Sequence, residues 1–394
     1  MEFDRVDVIE KEWIDQGKKM DIDYIWLAHG KYIRENPDFN IEITPSKDTP
    51  HKYGFYETRK VISEFYNTYI FNKKNIISPA YCSITGGCTD GVKASLEYFK
   101  NTSEKNILFL IPTYQPLLDV AKTIFLESRI FFLKHFNEAY EDTLKNIQKI
   151  IKEKAIGCVI ITNPNNPAGI MYPDYFLLEL AKICNKNNIW VIEDGAYFLH
   201  YNKKKQTSIL LYAEYATSNI TAYKLLLSST IKVGGAVLSH NLDIKEFSKY
   251  TKKISSEEET WFWQLLKKIA LNKPEILNKH LKDMFLISGK VTKLFFDIGF
   301  LPLYEAIEGK KIQISIGPVI SFAYKDKSDK FVEPEELFQI LMKHNILTTP
   351  MDEGIRINSR GITKKGRILL SKQLKKVNKE LKLRYYNNRE SDQA

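Results

Sequence analysis

Short apolar runs alternate with amphipathic stretches between about residues 80 and 240. Four uninterrupted runs predict buried strands, at 107–111, 130–133, 158–162 and 190–192. The clearest amphipathic stretch, 173–187, has a proline in its first turn and repeats apolar residues on one helical face. Strands that alternate with helices predict a mainly parallel central sheet flanked by helices, which is an α/β fold.

After about residue 240 the pattern changes to an α+β order, beginning with a nearly continuous helical region at 243–298. Beyond it the pattern predicts strands at 318–324 and 354–358 and helices at 334–344 and 363–381. The first 45 residues show no core of their own, so we expect them to form an arm or join the small domain. We therefore predict an arm and part of the small domain at 1–45, a large domain at 46–285 and a small C-terminal α+β domain at 286–394.

The composition is that of an ordinary globular protein, with 44% hydrophobic and 27% charged residues among 394. The net charge is +10, but the basic residues are scattered, so we expect a solvated surface and no nucleic-acid partner. No apolar run reaches the roughly 18 residues of a spanning helix, so we expect no membrane partner. The charged first 19 residues lack the apolar core of a signal peptide, which predicts a cytoplasmic location.

The four cysteines, Cys82, Cys88, Cys158 and Cys184, form no CxxC pair. No histidine cluster completes a zinc spacing, so no metal site is predicted. Cys158 and Cys184 lie in apolar patterns and are expected to be small core residues.

Polar motifs follow two of these apolar runs and one further apolar run that ends before residue 224. The loop 163–169 comes directly after one predicted strand, Asp194 and Tyr197 follow the next, and Lys224 follows a third. Considered singly, these motifs have ordinary structural interpretations as a surface turn, a strand-end cap and a solvated lysine. In a parallel sheet, however, ligands bind at the carboxyl ends of the strands. Their order along the chain therefore favours one binding site at this edge of the sheet.

The ordered set resembles the class I and II aminotransferase family, whose members are fold-type I enzymes that use pyridoxal 5′-phosphate (PLP). The family's NPNNPxG loop matches 163–169, its DxxY strand end matches Asp194 and Tyr197, and its cofactor-bonding lysine matches Lys224. The resemblance covers about residues 25–380. It implies the fold of a fold-type I PLP-dependent transferase, with PLP bound by the large domain.

The resemblance implies three catalytic residues. Lys224 would bond PLP and later act as the base for the Cα proton of the substrate. Asp194 would keep the pyridine nitrogen of PLP protonated, so that the ring withdraws electrons. Tyr197, together with Asn166, would hydrogen-bond the ring oxygen. These residue types suit the chemistry because PLP requires an amine to bond and an anion at its nitrogen.

Further matches imply the remaining cofactor contacts. Residues 85–90 open a helix and resemble the family's phosphate-binding loop, where free N–H groups and the helix dipole favour a dianion. Tyr114 matches the aromatic residue that stacks on the pyridine ring. Tyr53 is similar to a tyrosine that reaches the phosphate of the neighbouring subunit, which implies a homodimer with shared active sites. The other predicted cofactor contacts are Gly87, Cys88, Thr89, Thr221 and Lys232.

Arg356 resembles the small-domain arginine that binds the substrate α-carboxylate, and the planar guanidinium suits that task because it meets a carboxylate bidentately. We also expect Asn166 and Gly30 to contact the substrate, Gly30 because residues 27–31 loosely resemble the family's entry loop. The substrates implied by the resemblance are an α-amino acid and a 2-oxo acid.

Several positions depart from the family pattern. Lys232 replaces the usual arginine, Ala168 a threonine, Gly195 a glutamate and Tyr223 a small serine. None of these departures removes a group that PLP chemistry requires. The expected reaction is amino-group transfer between an α-amino acid and a 2-oxo acid. A PLP-dependent lyase, cyclase or amino-acid oxidase of specialised metabolism stays open, as does a PLP-binding regulator without turnover.

Overall fold

Helices and strands alternate through most of the chain. The structure is a computed structural model that describes residues 2–28, 51–72, 75–200, 206–221, 224, 232–308, 311–313, 317–360 and 362–386. The strands are β1 (Ile25–Trp26), β2 (Cys82–Thr85), β3 (Asn106–Ile111), β4 (Ile130–Lys134), β5 (Ile156–Thr162), β6 (Trp190–Asp194), β7 (Ala216–Thr221), β8 (Gly234–Leu238), β9 (Leu301–Pro302), β10 (Ala306–Glu308), β11 (Lys311–Gln313), β12 (Val319–Ala323), β13 (Ile346–Leu347), β14 (Thr349–Pro350) and β15 (Ile355–Asn358). The α-helices are α1 (Glu2–Asp15), α2 (Tyr56–Phe65), α3 (Cys88–Thr102), α4 (Gln115–Ile124), α5 (Tyr140–Glu153), α6 (Asp174–Lys186), α7 (Ile244–Phe247), α8 (Ser256–Leu266), α9 (Pro274–Phe296), α10 (Pro334–Lys343) and α11 (Lys364–Tyr385).

The large sheet has the strand order β2-β8-β7-β6-β5-β3-β4 among the described residues. Strands β7, β6, β5, β3 and β4 are mutually parallel, and only β8 runs antiparallel to its two neighbours. The predicted strands lie within β3, β4, β5 and β6, which confirms the mainly parallel α/β sheet.

Side chains of the central strands pack on both faces of this sheet. On β3, Leu108 and Leu110 join one hydrophobic cluster, whereas Ile107 and Phe109 join a second cluster on the opposite face. This division follows from the two-residue period of a strand. The prediction that Cys158 and Cys184 are core residues is confirmed, since both are fully buried.

The C-terminal part is built around a smaller antiparallel sheet, ordered β14-β15-β12-β9. Helices α7, α8 and α9 occupy most of the predicted helical region at 243–298, and α10 and α11 match the two later helices.

The N-terminal arm packs on this smaller part. Strand β1 pairs in parallel with β13, and Val6 and Trp13 of α1 join the same hydrophobic cluster as β12 and β15. The predicted domain boundaries after residues 45 and 285 stay predictions, and residue 285 lies inside α9. Among the described helices, none has the length and apolar character needed to cross a membrane.

Candidate active site

The carboxyl ends of β5, β6 and β7 place three of the predicted site segments at one edge of the large sheet. Thr162 at the end of β5 is in register with Asp194 at the end of β6, and Asp194 is in register with Asn219 of β7. The loop with Asn166 follows β5, and Lys224 follows β7. The parallel pairing therefore brings residues together that are far apart in sequence.

Asp194 is buried, with 3% of its surface exposed. Its Oδ1 accepts hydrogen bonds from the Cys88 thiol at 2.8 Å and from the Ala196 main-chain N–H at 3.0 Å. Burial raises the pKa of the Asp194 carboxyl, while the Cys88 and Ala196 hydrogen bonds and the nearby charge of Lys224 oppose that rise. Burial and the Asp194 charge raise the pKa of Cys88, so its thiol stays protonated and can donate.

Cys88 is also the first residue of α3, so the amino terminus of this helix lies against Asp194. Its N-cap, Gly87, has φ +96°, and no side chain in the described part of the chain caps it. A Cβ at Gly87 would lie 3.4 Å from Oγ1 of Thr221, so the helix start and the end of β7 are close neighbours. A helix start of this kind favours an anion.

Lys224 and Tyr197 face one another beside Asp194. The Lys224 Nζ lies 5.3 Å from the centre of the Tyr197 ring. Tyr197 is 3% exposed, and burial raises the pKa of its hydroxyl to about 12, so the hydroxyl is protonated at neutral pH. The Asn358 amide donates to this hydroxyl across 3.4 Å, which links β15 to the end of β6.

Arg356 projects from β15 into the interface between the two sheets and is 5% exposed. Its Nη1 donates to Oδ1 of Asn166 at 3.2 Å, and its Nη2 donates to the main-chain oxygen of Ala28 at 2.7 Å and to Oγ1 of Thr349 at 3.2 Å. One guanidinium thus joins the loop after β5, the N-terminal arm and the small sheet.

A cleft opens beside this guanidinium. Tyr114, Asn166, Thr349 and Arg356 are among the residues that line it. Aromatic, amide and guanidinium groups therefore meet at one opening, which suits a small ligand that carries both a ring and an anion.

The other predicted residues are either less buried than Asp194 and Arg356 or lie outside the described residues. Lys232 is exposed and Thr89 is half-buried at the start of α3. Tyr53 is half-buried, stacks on His51 and lies under the Arg59 guanidinium at 4.8 Å from the ring centre. Gly30 and Tyr223 lie outside the residues that the structure describes.

Sequence reasoning missed several groups around Lys224. His200 and Arg360 both lie within hydrogen-bond distance of its main-chain oxygen, and Asn358 contacts Tyr197. Arg360 is 3% exposed. No sequence signal distinguishes it from a surface arginine, because its burial depends on the packing of two separate sheets.

Comparisons with known proteins agree with this architecture. The family model for aminotransferase class I and II matches residues 28–227, just over half of the 394 residues. A solved structure of an archaeal alanine:glyoxylate aminotransferase matches with a TM-score of 0.74 at 16% identity, covering 96% of each chain. At this identity the likeness shows the fold, and it confirms the predicted fold-type I architecture.

The curated relatives include two Arabidopsis thaliana proteins of about 30% identity. A probable aminotransferase is 32% identical over 144 residues, which cover 36% of this chain and 31% of that protein. An S-alkyl-thiohydroximate lyase is 30% identical over 144 residues, covering 36% of this chain and 30% of that protein. The chain spans about a third of the length of these relatives. Since the family model covers more than half of the sequence, the chain belongs to the class I and II aminotransferase family.

Proposed function

We propose that this protein is a PLP-dependent aminotransferase that moves an amino group between an α-amino acid and a 2-oxo acid. The observation that carries the proposal is the meeting of Lys224, Tyr197 and buried Asp194 at the carboxyl edge of the large sheet. An amine, a protonated phenol and a buried carboxyl group are the set that PLP chemistry requires.

The residues at this edge fit PLP. The start of α3, with Gly87, Cys88 and Thr89, offers main-chain N–H groups to the phosphate, and Thr221 adds a hydroxyl next to Gly87. Asp194 would pair with the pyridine nitrogen, and the charge of that protonated nitrogen would offset the cost of ionising a buried carboxyl group. Tyr114 would stack on the ring, while Asn166 and Tyr197 would donate to its oxygen. Exposed Lys232 would add positive charge for the phosphate.

When bound, PLP supplies an electron sink for the negative charge that develops at the substrate Cα. The protein contributes the proton transfers and the orientation. Lys224 Nζ would remove the Cα proton and return a proton on the same side of the site. Arg356 would bind the α-carboxylate and direct the Cα–H bond toward Nζ, with Asn166 and Gly30 as further substrate contacts. Asp194 would be held ionised by the protonated pyridine nitrogen, whose charge would oppose the rise in the pKa of this carboxyl that burial causes.

The assembly and location are part of the same proposal. Tyr53 would contact the PLP phosphate of a second copy, which makes the active form a homodimer with shared sites. We also propose a cytoplasmic location, with no nucleic-acid and no membrane partner. Amino acids and 2-oxo acids are the proposed small-molecule partners.

A second function on the same residues is a PLP-dependent lyase. The observation that favours it is the 30% identical lyase among the relatives, together with Tyr223 in place of a small residue beside Lys224. Lyase and transferase chemistry both begin with loss of the Cα proton. The site residues would therefore have the same roles in this first step of both reactions.

A single-turnover experiment separates the two functions. The PLP-loaded protein is mixed with a panel of amino acids, with and without oxygen, and the cofactor and products are identified by mass. Aminotransfer predicts pyridoxamine phosphate and one equivalent of 2-oxo acid under both conditions, and a 2-oxo acid should restore PLP. Unchanged PLP with many equivalents of product would establish a lyase or cyclase, and product only with oxygen would establish an oxidase.

A further inference from the structure

The main-chain oxygen of Lys224 is held by two side chains from different parts of the fold. Arg360 Nη2 donates to it at 2.6 Å, and His200 Nε2 lies 2.9 Å from it. A carbonyl oxygen has two lone pairs, so Arg360 and the Nε2–H tautomer of His200 together fill both of its acceptor sites. The residue that we propose to bond PLP is therefore fixed at its backbone as well as contacted at its Nζ.

The two partners come from different elements of the fold. His200 follows Tyr197 closely, and its ring lies edge-on to the Tyr197 ring at 5.5 Å between centres. Arg360 comes after β15, in the part of the chain that also carries Arg356. The main-chain N–H of Arg360 donates to Oδ1 of Asn358 at 3.0 Å, and the Asn358 side-chain amide donates to the Tyr197 hydroxyl. Both partners are thus connected to the phenol that faces Lys224 Nζ.

Arg360 is the stronger of the two donors. Its side chain is buried, and burial lowers the pKa of its guanidinium to about 9, which leaves it charged at neutral pH. Burial lowers the pKa of His200 to about 4, so its ring is neutral and donates from a single nitrogen. Both ring nitrogens lie near a main-chain oxygen, Nδ1 at 2.8 Å from that of Phe198 and Nε2 at 2.9 Å from that of Lys224. The neutral ring has one N–H, so it donates to Lys224 only as the Nε2–H tautomer. A charged donor to a carbonyl forms the stronger hydrogen bond.

Burying a guanidinium costs desolvation free energy unless hydrogen bonds or an opposite charge offset it. Here the buried charge lies against the main chain of the proposed cofactor lysine. We infer that Arg360, assisted by His200, is a positioning residue that fixes the Lys224 backbone and favours the unprotonated form of its Nζ. The inference rests on the proposed role of Lys224, and it assigns a function to an arginine outside the residues that would contact cofactor or substrate.

The test compares Arg360→Met, Arg360→Lys and a matched control, Arg367→Met, in the full-length PLP-loaded protein. Arg367 also donates to a main-chain oxygen, that of Ile362, at 3.2 Å, but not to that of Lys224. Three quantities are measured: the pH at which the visible absorbance of bound PLP changes, kcat and KM for a reactive amino acid, and the melting temperature of the PLP-free protein.

We expect Arg360→Met to move the spectral transition to higher pH, because the positive charge held against the Lys224 main chain is lost. We expect kcat to fall by up to about 100-fold, the size of effect that a 1 Å misplacement produces, with a smaller change in KM. Arg360→Lys should recover part of both effects, and Arg367→Met should match the unmodified protein. A lower melting temperature with unchanged spectral transition and unchanged kcat would overturn the inference.

A second pair of variants decides the question if Arg360→Met does not fold. His200→Gln keeps a donor near the Lys224 oxygen, whereas His200→Leu removes it. Because the His200 ring is neutral, its loss should leave the pH of the spectral transition unchanged and act on kcat through the position of the lysine alone. Only the leucine variant should lower kcat; equal kcat values of the two variants would contradict the inference. Borohydride reduction and peptide mapping are run in parallel. A pyridoxyl group on another lysine would refute the proposed site, whereas one on Lys224 with normal Arg360 and His200 variants would refute only the positioning role.

Discussion

The Cys88 thiol donates a hydrogen bond to Oδ1 of Asp194 at 2.8 Å, although the two residues are 106 positions apart. The contact joins the first residue of α3 to the last residue of β6. It places the anion-binding end of a helix and a buried carboxyl group side by side. A helix start that favours an anion and a buried carboxyl group therefore border the same part of the site.

Replacing Asp194 with alanine should slow exchange of the substrate Cα proton by about 100-fold or more, because the site loses the charge that stabilises the electron-withdrawing ring. Some PLP should stay bound through Lys224 and the start of α3. Exchange is measured by NMR in deuterium oxide, and bound PLP by absorbance.

The control for Asp194 is its neighbour Glu193, which is fully buried and accepts hydrogen bonds from Asn163 at 3.0 Å and Ser218 at 2.6 Å. Glu193→Gln should lower stability and leave the exchange rate within a few-fold. Loss of exchange in the Glu193 variant with normal exchange in the Asp194 variant would show that the assignment is off by one position.

Borohydride reduction of the PLP-loaded protein should attach a pyridoxyl group to Lys224. The reason is that Lys224 Nζ lies at the Tyr197 ring beside Asp194, whereas the exposed Lys232 has no such neighbours among the site residues described above. Peptide mapping by mass spectrometry identifies the modified lysine, and Lys224→Ala serves as the control that should stay unlabelled. A pyridoxyl mass on Lys232 would contradict the assignment.

Much of this site was predictable because its residues follow strands. The apolar runs identify β5 and β6, and the geometry of parallel sheets places 163–169 and Asp194 at the same edge. The groups that hold these residues were not predictable in the same way. Arg360 and Lys224 are 136 positions apart, and their contact depends on how β15 packs against the large sheet. A buried arginine and an exposed one look alike in sequence, because burial is a property of the tertiary fold.

Stability should fall as the pH is lowered from about 6.5 toward 4, in part because of His135. This ring is buried between Tyr172 and the Ile111 main-chain oxygen, and burial lowers its pKa from 6.5 to about 4. Between those values the unfolded chain binds a proton that the folded chain does not, so acid favours unfolding. The contribution to the slope is at most about 1.4 kcal/mol per pH unit.

The measurement is the free energy of unfolding in urea at pH 7, 6 and 5. His135→Gln removes the titrating group and should give a shallower fall with acid than the unmodified protein. The exposed His240 provides the control, and His240→Gln should leave the slope unchanged. Taking the difference between variants cancels the opposite contributions of Asp194 and Glu193, whose pKa values are raised by burial. Identical slopes for His135→Gln and the unmodified protein would exclude this explanation.

Active sites shared between two copies should show complementation. If Tyr53 of one copy completes the site that contains Lys224 of the other, a hybrid of a Lys224→Ala copy and a Tyr53→Ala copy has one site with both changes and one with neither. Random subunit exchange makes about half of the dimers hybrids with one intact site each, so mixing the two variants should restore activity to about a quarter of that of the unmodified dimer. A mixture of Lys224→Ala and Asp194→Ala copies should stay inactive, because each site then keeps one change. An active monomer in light scattering, or no recovery in the first mixture, would refute the shared site.

Arg356 should determine recognition of the substrate carboxylate. Its guanidinium is buried at the cleft, and its Nη1 donates to Oδ1 of Asn166 at 3.2 Å, so the guanidinium is held in place where a substrate carboxylate would bind. Loss of one charge-assisted pair is typically worth about 1.5–3 kcal/mol, which corresponds to a fall of about 10- to 150-fold in kcat/KM for Arg356→Ala. Arg356→Lys keeps the positive charge but loses the two parallel N–H donors, so its kcat/KM should lie between that of Arg356→Ala and that of the unmodified protein.

Arg356 also supports the fold through the Ala28 oxygen and Thr349, so a loss of activity by itself does not distinguish recognition from structural damage. A substrate analogue resolves this, namely the amine that corresponds to the amino acid without its carboxylate. If Arg356 binds the carboxylate, Arg356→Ala should lower kcat/KM for the amino acid and leave the slow reaction of the amine unchanged. PLP affinity should also be unchanged, and Thr349→Val, which removes one partner of the guanidinium, should have a small effect. An equal loss for amine and amino acid would mean that Arg356 acts through the fold alone, because the variant would then be insensitive to the only group by which the two substrates differ.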